Sequence, residues 1–200
     1  MAYDPVKESM RTFLALPLAE MFQSEIEACT KSLKSYANGI KWVAPEQVHI
    51  TLHFFGETRQ EELQTIQEHV GVVTERYGAL KLGLQEIGFF PSPAKPRIIW
   101  IGVSGDVTLL AQMQREIEQE LRDSGFAIED RPFQAHATIG RVKRQGQEIQ
   151  RFSQRIEKQK SPVLRTELRS FDHIALFKSL LTPQGPHYEI LQIFLLSQKP

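Results

Sequence analysis

The pattern of apolar and polar residues predicts strands and helices in mixed order. Short runs rich in β-branched and aromatic residues are typical of strands. They occur at residues 11–16, 48–55, 80–87, 97–103, 135–142, 167–177 and 188–196. Three longer segments between them carry apolar residues at spacings of three and four, which predicts helices with one buried face. These apolar positions are Phe22, Ile26, Cys29, Leu33 and Tyr36, then Leu63, Ile66, Val70, Val73 and Tyr77, then Leu110, Met113, Ile117 and Leu121.

The remaining segments are polar or rich in proline. Residues 90–97 contain three prolines and are expected to be irregular, residues 143–160 are expected to form a loop or an exposed helix, and a turn is expected at 183–186. Helices and strands alternate early and strands follow one another late, which favours an α+β fold. No long flexible linker divides the chain, so we expect residues 1–200 to form a single domain.

The charge balance narrows the classes of function. Twenty-four Lys and Arg residues balance 24 Asp and Glu residues, and this argues against broad binding to duplex nucleic acid but permits a small phosphate pocket. Cys29 is the single cysteine and has no partner for a disulfide or a zinc site. The sequence has no apolar run that could span a membrane and no signal-peptide core, so the cytoplasm is the expected location.

An approximate repeat is the strongest functional signal in the chain. Residues 45–52 read PEQVHITL and residues 132–139 read PFQAHATI, so that each copy places proline four residues before a histidine and threonine two residues after it. Side chains alternate between the two faces of a strand. His49 and Thr51 therefore share one face, and His136 and Thr138 share another. The repeat predicts two related lobes that each contribute one strand to a shared cleft.

Two histidines on opposite sides of a phosphate suit acid–base chemistry. Cleavage of a phosphodiester by in-line attack needs a base on one side and an acid on the other, and imidazole serves both roles near neutral pH. The hydroxyls of Thr51 and Thr138 could hold the phosphate oxygens as neutral donors. Such a site requires neither a metal nor a cofactor. His53 follows His49 and Thr51 in the same phase, so the pattern places it at the rim of the cleft.

Several other residues are weaker candidates for contact with a substrate. Arg141 has the opposite phase from His136, unless a bend at Gly140 returns it to the cleft. Lys95 and Arg97, in and beside the proline-rich segment, are candidates for contact with a ribose-phosphate chain. Aromatic residues could also offer a surface on which a base stacks. These are Phe54, Phe55, Phe90 and Trp100.

The paired HxTx sequences resemble those of the 2H phosphoesterase superfamily, and within it the RNA 2′,3′-cyclic phosphodiesterase family, also called 2′-5′ RNA ligase or ThpR-like. Four blocks carry the resemblance in order and spacing: RTFLALPL, KWVAPEQVHITLHFFGE, FPSPAKPRIIWIGV and EDRPFQAHATIGRVK. The resemblance implies a bilobal fold, in which two pseudo-symmetric lobes with antiparallel sheets line a central cleft and the helices lie outside.

The resemblance also implies an activity. It implies hydrolysis of the terminal 2′,3′-cyclic phosphate of RNA to a 2′-phosphomonoester, without a metal. His49 matches the proton donor, His136 the proton acceptor, Thr51 and Thr138 the phosphate-binding hydroxyls, and Arg141 an arginine that often follows the second motif. The implied partner is RNA with a cyclic phosphate end, and no obligate protein partner is expected.

Three alternatives stay open at this point. The same histidines could join a cyclic phosphate end to a 5′-hydroxyl by the reverse reaction, although water favours hydrolysis. The cleft could instead act on a small cyclic nucleotide. It could also bind nucleotides without turnover.

Overall fold

The computed structural model describes residues 9–36, 38–128, 131–159, 164–183 and 185–197. Its described parts contain nine strands and four α-helices. The strands are β1 (Ser9–Pro17), β2 (Ile40–Trp42), β3 (His49–Arg59), β4 (Leu80–Phe90), β5 (Ile98–Gly105), β6 (His136–Val142), β7 (Arg169–Phe171), β8 (His173–Thr182) and β9 (Gly185–Leu195). The helices are α1 (Ala19–Lys34), α2 (Gln60–Thr74), α3 (Val107–Asp123) and α4 (Gln147–Gln159).

The sheet is antiparallel throughout its described pairings and has two matching halves. Its strand order is β7-β4-β5-β6-β3-β1-β8-β9, with β2 paired to β6. Along the chain, β1–α1–β3–α2 in one half corresponds to β5–α3–β6–α4 in the other. The halves meet where β3 pairs with β6, at Ile50 opposite Ala137. The predicted α+β fold with two pseudo-symmetric, antiparallel halves is confirmed. The two halves form one continuous sheet.

The helices cover one face of the sheet and enclose the main core. The apolar stripes of the three predicted helices are buried there, including Cys29 at 5% exposure. Burial raises the pKa of the Cys29 thiol to about 11, so it stays protonated and serves as a packing group. Tyr36 is the exception among the predicted core residues, because α1 ends at Lys34 and leaves that ring 44% exposed.

The opposite face of the sheet carries a second, smaller apolar cluster. Phe13, Ala15, Ala175 and Phe177 form it, with Tyr188 packed against them. The small side chains of Ala15 and Ala175, which face each other across β1 and β8, leave room above this part of the sheet. This face borders the cavity described below, so the helices lie on one side of the sheet and the cavity on the other.

Some boundaries differ from the sequence expectation. Residues 147–159 form a regular helix, because Ile149, Phe152 and Ile156 recur at helical spacing and pack into the core. Strand β3 continues past Gly56, which adopts a φ of 74°, to Arg59. Strand β2 was not predicted, and the predicted strand 167–177 is divided into β7 and β8. The turn between β8 and β9 is shorter than predicted, and residue 184 within it lies outside the described residues.

None of the helices in the described parts of the chain is long and apolar enough to cross a membrane.

Candidate active site

The two histidines of the repeat line one cavity of about 740 Å³, and Thr51, Thr138 and Arg141 line it with them. Because Ile50 lies opposite Ala137, antiparallel register brings His49 beside Thr138 and Thr51 beside His136. The two histidines are therefore diagonal neighbours across the centre of the sheet. Diagonal cross-strand residues lie about 7–8 Å apart, which leaves room for one phosphate group between two imidazoles.

Each imidazole is held by the same backbone contact. His49 Nδ1 lies 2.8 Å from the carbonyl oxygen of Gln47, and His136 Nδ1 lies 2.7 Å from the carbonyl oxygen of Gln134. A carbonyl oxygen only accepts, so Nδ1 carries the proton and donates in both rings. Neither Nε2 atom bonds to any described residue, and each is left for a ligand in the cavity. Both rings are therefore fixed in the tautomer that suits proton transfer through Nε2.

The two rings have different neighbours. His49 stacks on Phe13 at a centroid distance of 4.8 Å and meets the edge of Tyr188 at 5.4 Å. His136 contacts Phe90 edge to face at 5.0 Å and lies 6.2 Å from Trp100. The first set comes from β1 and β9 and the second from β4 and β5, so each half of the sheet builds an aromatic wall for its own histidine.

The surroundings of His49 disfavour its charged form. Burial among aromatic rings lowers the pKa of His49, and the hydrogen bond from its Nδ1 to Gln47 opposes that effect. The positive charges of Arg141 and His136 lower the pKa of His49 further. A negative charge in the cavity would have the reverse effect, so an anionic ligand favours protonation of this ring.

A bulge follows the histidine–threonine pair in both strands. Leu52 is skipped in the pairing of β3 with β1, and Ile139 is skipped in the pairing of β6 with β5. Each skipped residue is the third after its histidine. A bulge reverses the phase of the strand beyond it, and here it returns the fifth residue after each histidine to the cavity. These residues are Phe54 in β3 and Arg141 in β6.

The bulge in β3 also corrects the predicted position of His53. This ring points to the helix side, is 9% exposed, and its Nδ1 lies 3.1 Å from Glu118 Oε1 on α3. Gln114 of α3 donates to the carbonyl oxygen of Leu52 at 3.3 Å, within the bulge itself. The expectation that His53 lies at the cleft rim is therefore wrong. Phe55 shares its face, packs on His53 at 4.7 Å and does not line the cavity.

The described wall of the cavity contains four basic residues and no carboxylate. Arg11 and Arg141 come from β1 and β6, Lys41 from β2, and Lys143 from the segment after β6. Strand β2 pairs with β6, with Lys41 opposite Arg141. Clustered cations in a concave site concentrate anions. The cavity therefore suits a phosphorylated ligand although the chain as a whole has no net charge.

The chain has two successive matches to one family profile. The profile of the LigT like Phosphoesterase family matches residues 16–100 and again residues 101–188. This chain belongs to that family. Each match contains one histidine–threonine strand, β3 in the first and β6 in the second.

Two relatives with 36% identity to this chain carry the same name. The RNA 2′,3′-cyclic phosphodiesterase of Archaeoglobus fulgidus is 36% identical over 92% of this chain and 99% of its own length. That of Methanocaldococcus jannaschii is also 36% identical, over 92% of this chain and 99% of its own length. Among solved structures, a Thermus thermophilus protein covers 96% of this chain and 100% of its own, with a TM-score of 0.79 and 23% identity.

The same fold occurs in Escherichia coli LigT complexed with 3′-AMP, with a TM-score of 0.75 at 22% identity and coverage of 96% of this chain and 100% of that chain. At these identities the likeness to solved structures supports the fold alone.

The hairpin of β8 and β9 supplies residues that sequence reasoning did not place at the site. Ser179, Thr182, Pro186, His187 and Tyr188 all line the cavity. The side-chain amide of Gln47 donates to the carbonyl oxygen of Pro186 at 2.7 Å and joins the hairpin to the turn before His49. Glutamine precedes the histidine by two residues in both copies of the repeat, which was an available signal for this position.

The remaining candidates lie elsewhere. Lys95 and Arg97 are exposed and are not among the residues that line the cavity, so their contact with a ribose-phosphate chain stays a prediction. His69 accepts from or donates to Ser124 at 2.7 Å, and His173 Nδ1 lies 2.8 Å from Asp172. No group of three or more His, Cys, Asp or Glu side chains within the described ranges is placed to hold a metal ion.

Proposed function

We propose that this protein hydrolyses the terminal 2′,3′-cyclic phosphate of RNA to a 2′-phosphomonoester. The observation that carries the proposal is the matched pair of histidines, each tethered through Nδ1 and each offering Nε2 to one cavity. The name shared by relatives at 36% identity supports the substrate. We place the reaction in the cytoplasm, because the single cysteine is a buried thiol.

The proposed reaction uses one histidine to take a proton and the other to give one. His136 Nε2 takes a proton from water as the water oxygen attacks phosphorus in line with the bond to O3′. That P–O3′ bond breaks, and His49 Nε2–H gives its proton to the departing oxygen. The product keeps its phosphate on the 2′-oxygen and gains a free 3′-hydroxyl. The protons balance, because His136 gains one from water and His49 loses one to the 3′-oxygen.

The phosphate is held by groups that surround it. The hydroxyls of Thr51 and Thr138 bond to no described residue and are available to donate to the non-bridging oxygens. Arg141 offers a planar, bidentate donor to the same group. Donors fixed where charge develops stabilise the transition state. This set supplies both proton transfers and charge stabilisation, so we propose that the reaction needs no metal.

The assignment of donor and acceptor follows the family resemblance. The pKa of His49 is lowered in the free protein, which favours the neutral ring before the substrate arrives. The negative charge of the bound phosphate then favours its protonated form. The protonated ring can then give its proton to the leaving oxygen.

Two related reactions use the same geometry. The reverse reaction, in which a 5′-hydroxyl forms a bond to phosphorus, is ligation of two RNA ends. A cavity of about 740 Å³ also lies within the range of small-molecule sites, which favours a free cyclic nucleotide as a second candidate substrate.

The test is product analysis on an RNA oligonucleotide that ends in a 2′,3′-cyclic phosphate, with and without excess chelator. We expect conversion to a 2′-phosphate end in both conditions, and loss of that conversion in the double variant His49→Ala/His136→Ala. Formation of a 3′-phosphate end would contradict the leaving-group assignment. Turnover that stops in chelator and returns with a divalent metal would contradict the metal-free reaction.

A further inference from the structure

The basic and acidic residues are unevenly distributed along the chain, although their numbers are equal. Residues 131–165 contain nine Lys and Arg residues but two Glu residues. The rest of the chain therefore contains 15 basic and 22 acidic residues. One region of the molecule is strongly basic, and it includes the part of the cavity that holds Arg141 and Lys143.

Helix α4 presents a row of cations to solvent. Its apolar side, with Ile149, Phe152 and Ile156, is buried against the sheet. Arg151, Arg155 and Lys158 are exposed and line a shallow depression of about 360 Å³ together with Gln154. Positions four and three residues apart lie on one helix face, so the row extends about 10 Å along the helix. None of the three cations forms an ion pair within the part of the chain that the structure describes.

A series of contacts connects this row to the cavity. Lys143 lines the cavity, and its backbone N–H donates to the carbonyl oxygen of Gly39 at 2.8 Å. Arg144 donates to the same oxygen at 3.3 Å. Tyr36 lies two residues before Asn38. The guanidinium of Arg155 lies over the ring of Tyr36, 4.5 Å from its centroid. The path therefore runs from the cavity through Lys143 and Arg144 to the exposed side of α4.

Carboxylates near the path do not neutralise it. Glu148 accepts from the backbone N–H of Asn38 at 2.8 Å, and so it fixes the start of α4 against the segment after α1. Glu157 is exposed on α4 and forms no ion pair with the row among the described residues. The basic strip, defined as Lys143, Arg144, Arg151, Arg155 and Lys158, retains its excess of positive charge.

We propose that the basic strip binds the sugar-phosphate backbone of single-stranded RNA upstream of the cyclic end. This inference rests on the proposed function, because a terminal phosphate in the cavity fixes where the rest of the strand begins. The cyclic phosphate is the 3′ end, so the strand leaves the cavity in its 5′ direction. Exposed, unpaired Arg and Lys side chains bind phosphates without reading bases and with strong dependence on salt. The protein then prefers an RNA chain to a free cyclic nucleotide.

The test compares two substrates in one variant. In Arg151→Gln/Arg155→Gln/Lys158→Gln, we expect kcat/KM for a dodecamer RNA with a 2′,3′-cyclic phosphate end to fall about tenfold at low salt. Turnover of a 2′,3′-cyclic mononucleotide should stay at the wild-type rate. The dependence of dodecamer binding on salt should weaken by about two in the log–log slope, because single strands contribute about 0.7 for each phosphate contact. Exposed substitutions of this kind change stability little.

A matched control removes the same charge from residues outside the basic strip. Lys81→Gln/Arg115→Gln/Arg122→Gln changes three exposed cations on β4 and α3 and should leave both substrates unaffected. Equal loss in the two triple variants, or no loss in either, would overturn the proposal. So would unchanged RNA binding in the α4 variant with loss of binding to phosphatidylserine vesicles.

The two proposals fail in different ways. If the wild-type protein turns over neither substrate, the proposed function fails, and fluorescence anisotropy with the 5′-labelled dodecamer still tests the strip. Weaker binding in the α4 variant alone supports the strip, and equal binding in all three proteins overturns it.

Discussion

The two histidine–threonine strands have the same backbone geometry, but the side chains around their histidines differ. Both hold their histidine through a carbonyl two residues earlier, and both bulge at the third residue after it. His49 is enclosed by Phe13 and Tyr188 and has a lowered pKa, whereas His136 contacts Phe90 and Trp100. The two halves have in common the backbone contacts that orient each imidazole for proton transfer. They differ in the aromatic residues around each ring.

The residues beyond the bulges show the same divergence. The pseudo-symmetric positions hold Phe54 in one half and Arg141 in the other, and Arg11 lies 5.4 Å above the Phe54 ring. An aromatic ring and a guanidinium offer different contacts to a nucleotide: one stacks on a base, the other binds a phosphate. A symmetric frame can thus hold an asymmetric substrate, with a sugar on one side of phosphorus and water on the other.

The largest expected effect is loss of either histidine. His49→Ala and His136→Ala should each lower kcat by about a thousandfold, because general acid and base catalysis each contribute about 10²–10⁴. The kcat of the double variant should lie only slightly below that of the less active single variant, because the two groups act in one step. Each single variant should also lose one limb of the bell-shaped pH–rate profile. His69→Ala on α2 is the control and should retain activity; additive losses in the double variant would contradict a shared step.

A smaller effect is expected at the two threonines. Thr51→Val and Thr138→Val keep the shape and remove the hydroxyl, so each should lower kcat by about a hundredfold and change KM less. Because the positions are related by the pseudo-two-fold, the two losses should be similar. Thr108→Val, on the exposed start of α3, serves as the matched control. A loss confined to KM in both variants would show that the hydroxyls bind the ground state only.

The smallest effect concerns the pH profile and separates the two histidines. Arg141 lowers the pKa of His49, so removal of its charge in Arg141→Gln should raise that pKa. The pH limb of kcat/KM that His49 controls should then move to higher pH. If His49 is the donor, the alkaline limb moves, and if it is the acceptor, the acid limb moves. NMR titration of the His49 ring gives the same shift directly. Arg97→Gln, outside the cavity, should move neither limb.

Sequence periodicity predicted most of the strands and the shared face of each histidine–threonine pair. It could do so because the repeat and the period of two are both local properties of the chain. The register of the halves could not be predicted, since it depends on the pairing of Ile50 with Ala137, far apart in sequence. The contribution of the β8–β9 hairpin to the cavity depends on a similar long-range contact, between Gln47 and Pro186.

The bulges explain the errors at individual residues. A strict period of two places His53 beside His49, and this expectation fails at the bulge in β3. The bulge in β6 returns Arg141 to the cavity, as the sequence allowed for a bend at Gly140. The partner that holds His53 on the helix side, Glu118, lies on α3 and leaves no trace near His53 in the sequence. The net charge also does not predict where the basic residues lie. A net charge of zero does not reveal that basic residues are concentrated along β6 and α4.

A crystal structure with a nucleoside 2′-monophosphate bound would test most directly whether His49 and His136 act on one phosphate. We expect the Nε2 atoms of both histidines to lie about 2.7–3.2 Å from oxygen atoms at the same phosphorus, with Thr51 and Thr138 on its remaining oxygens. A phosphate bound to one histidine alone, or at a position that the other imidazole cannot reach, would contradict it.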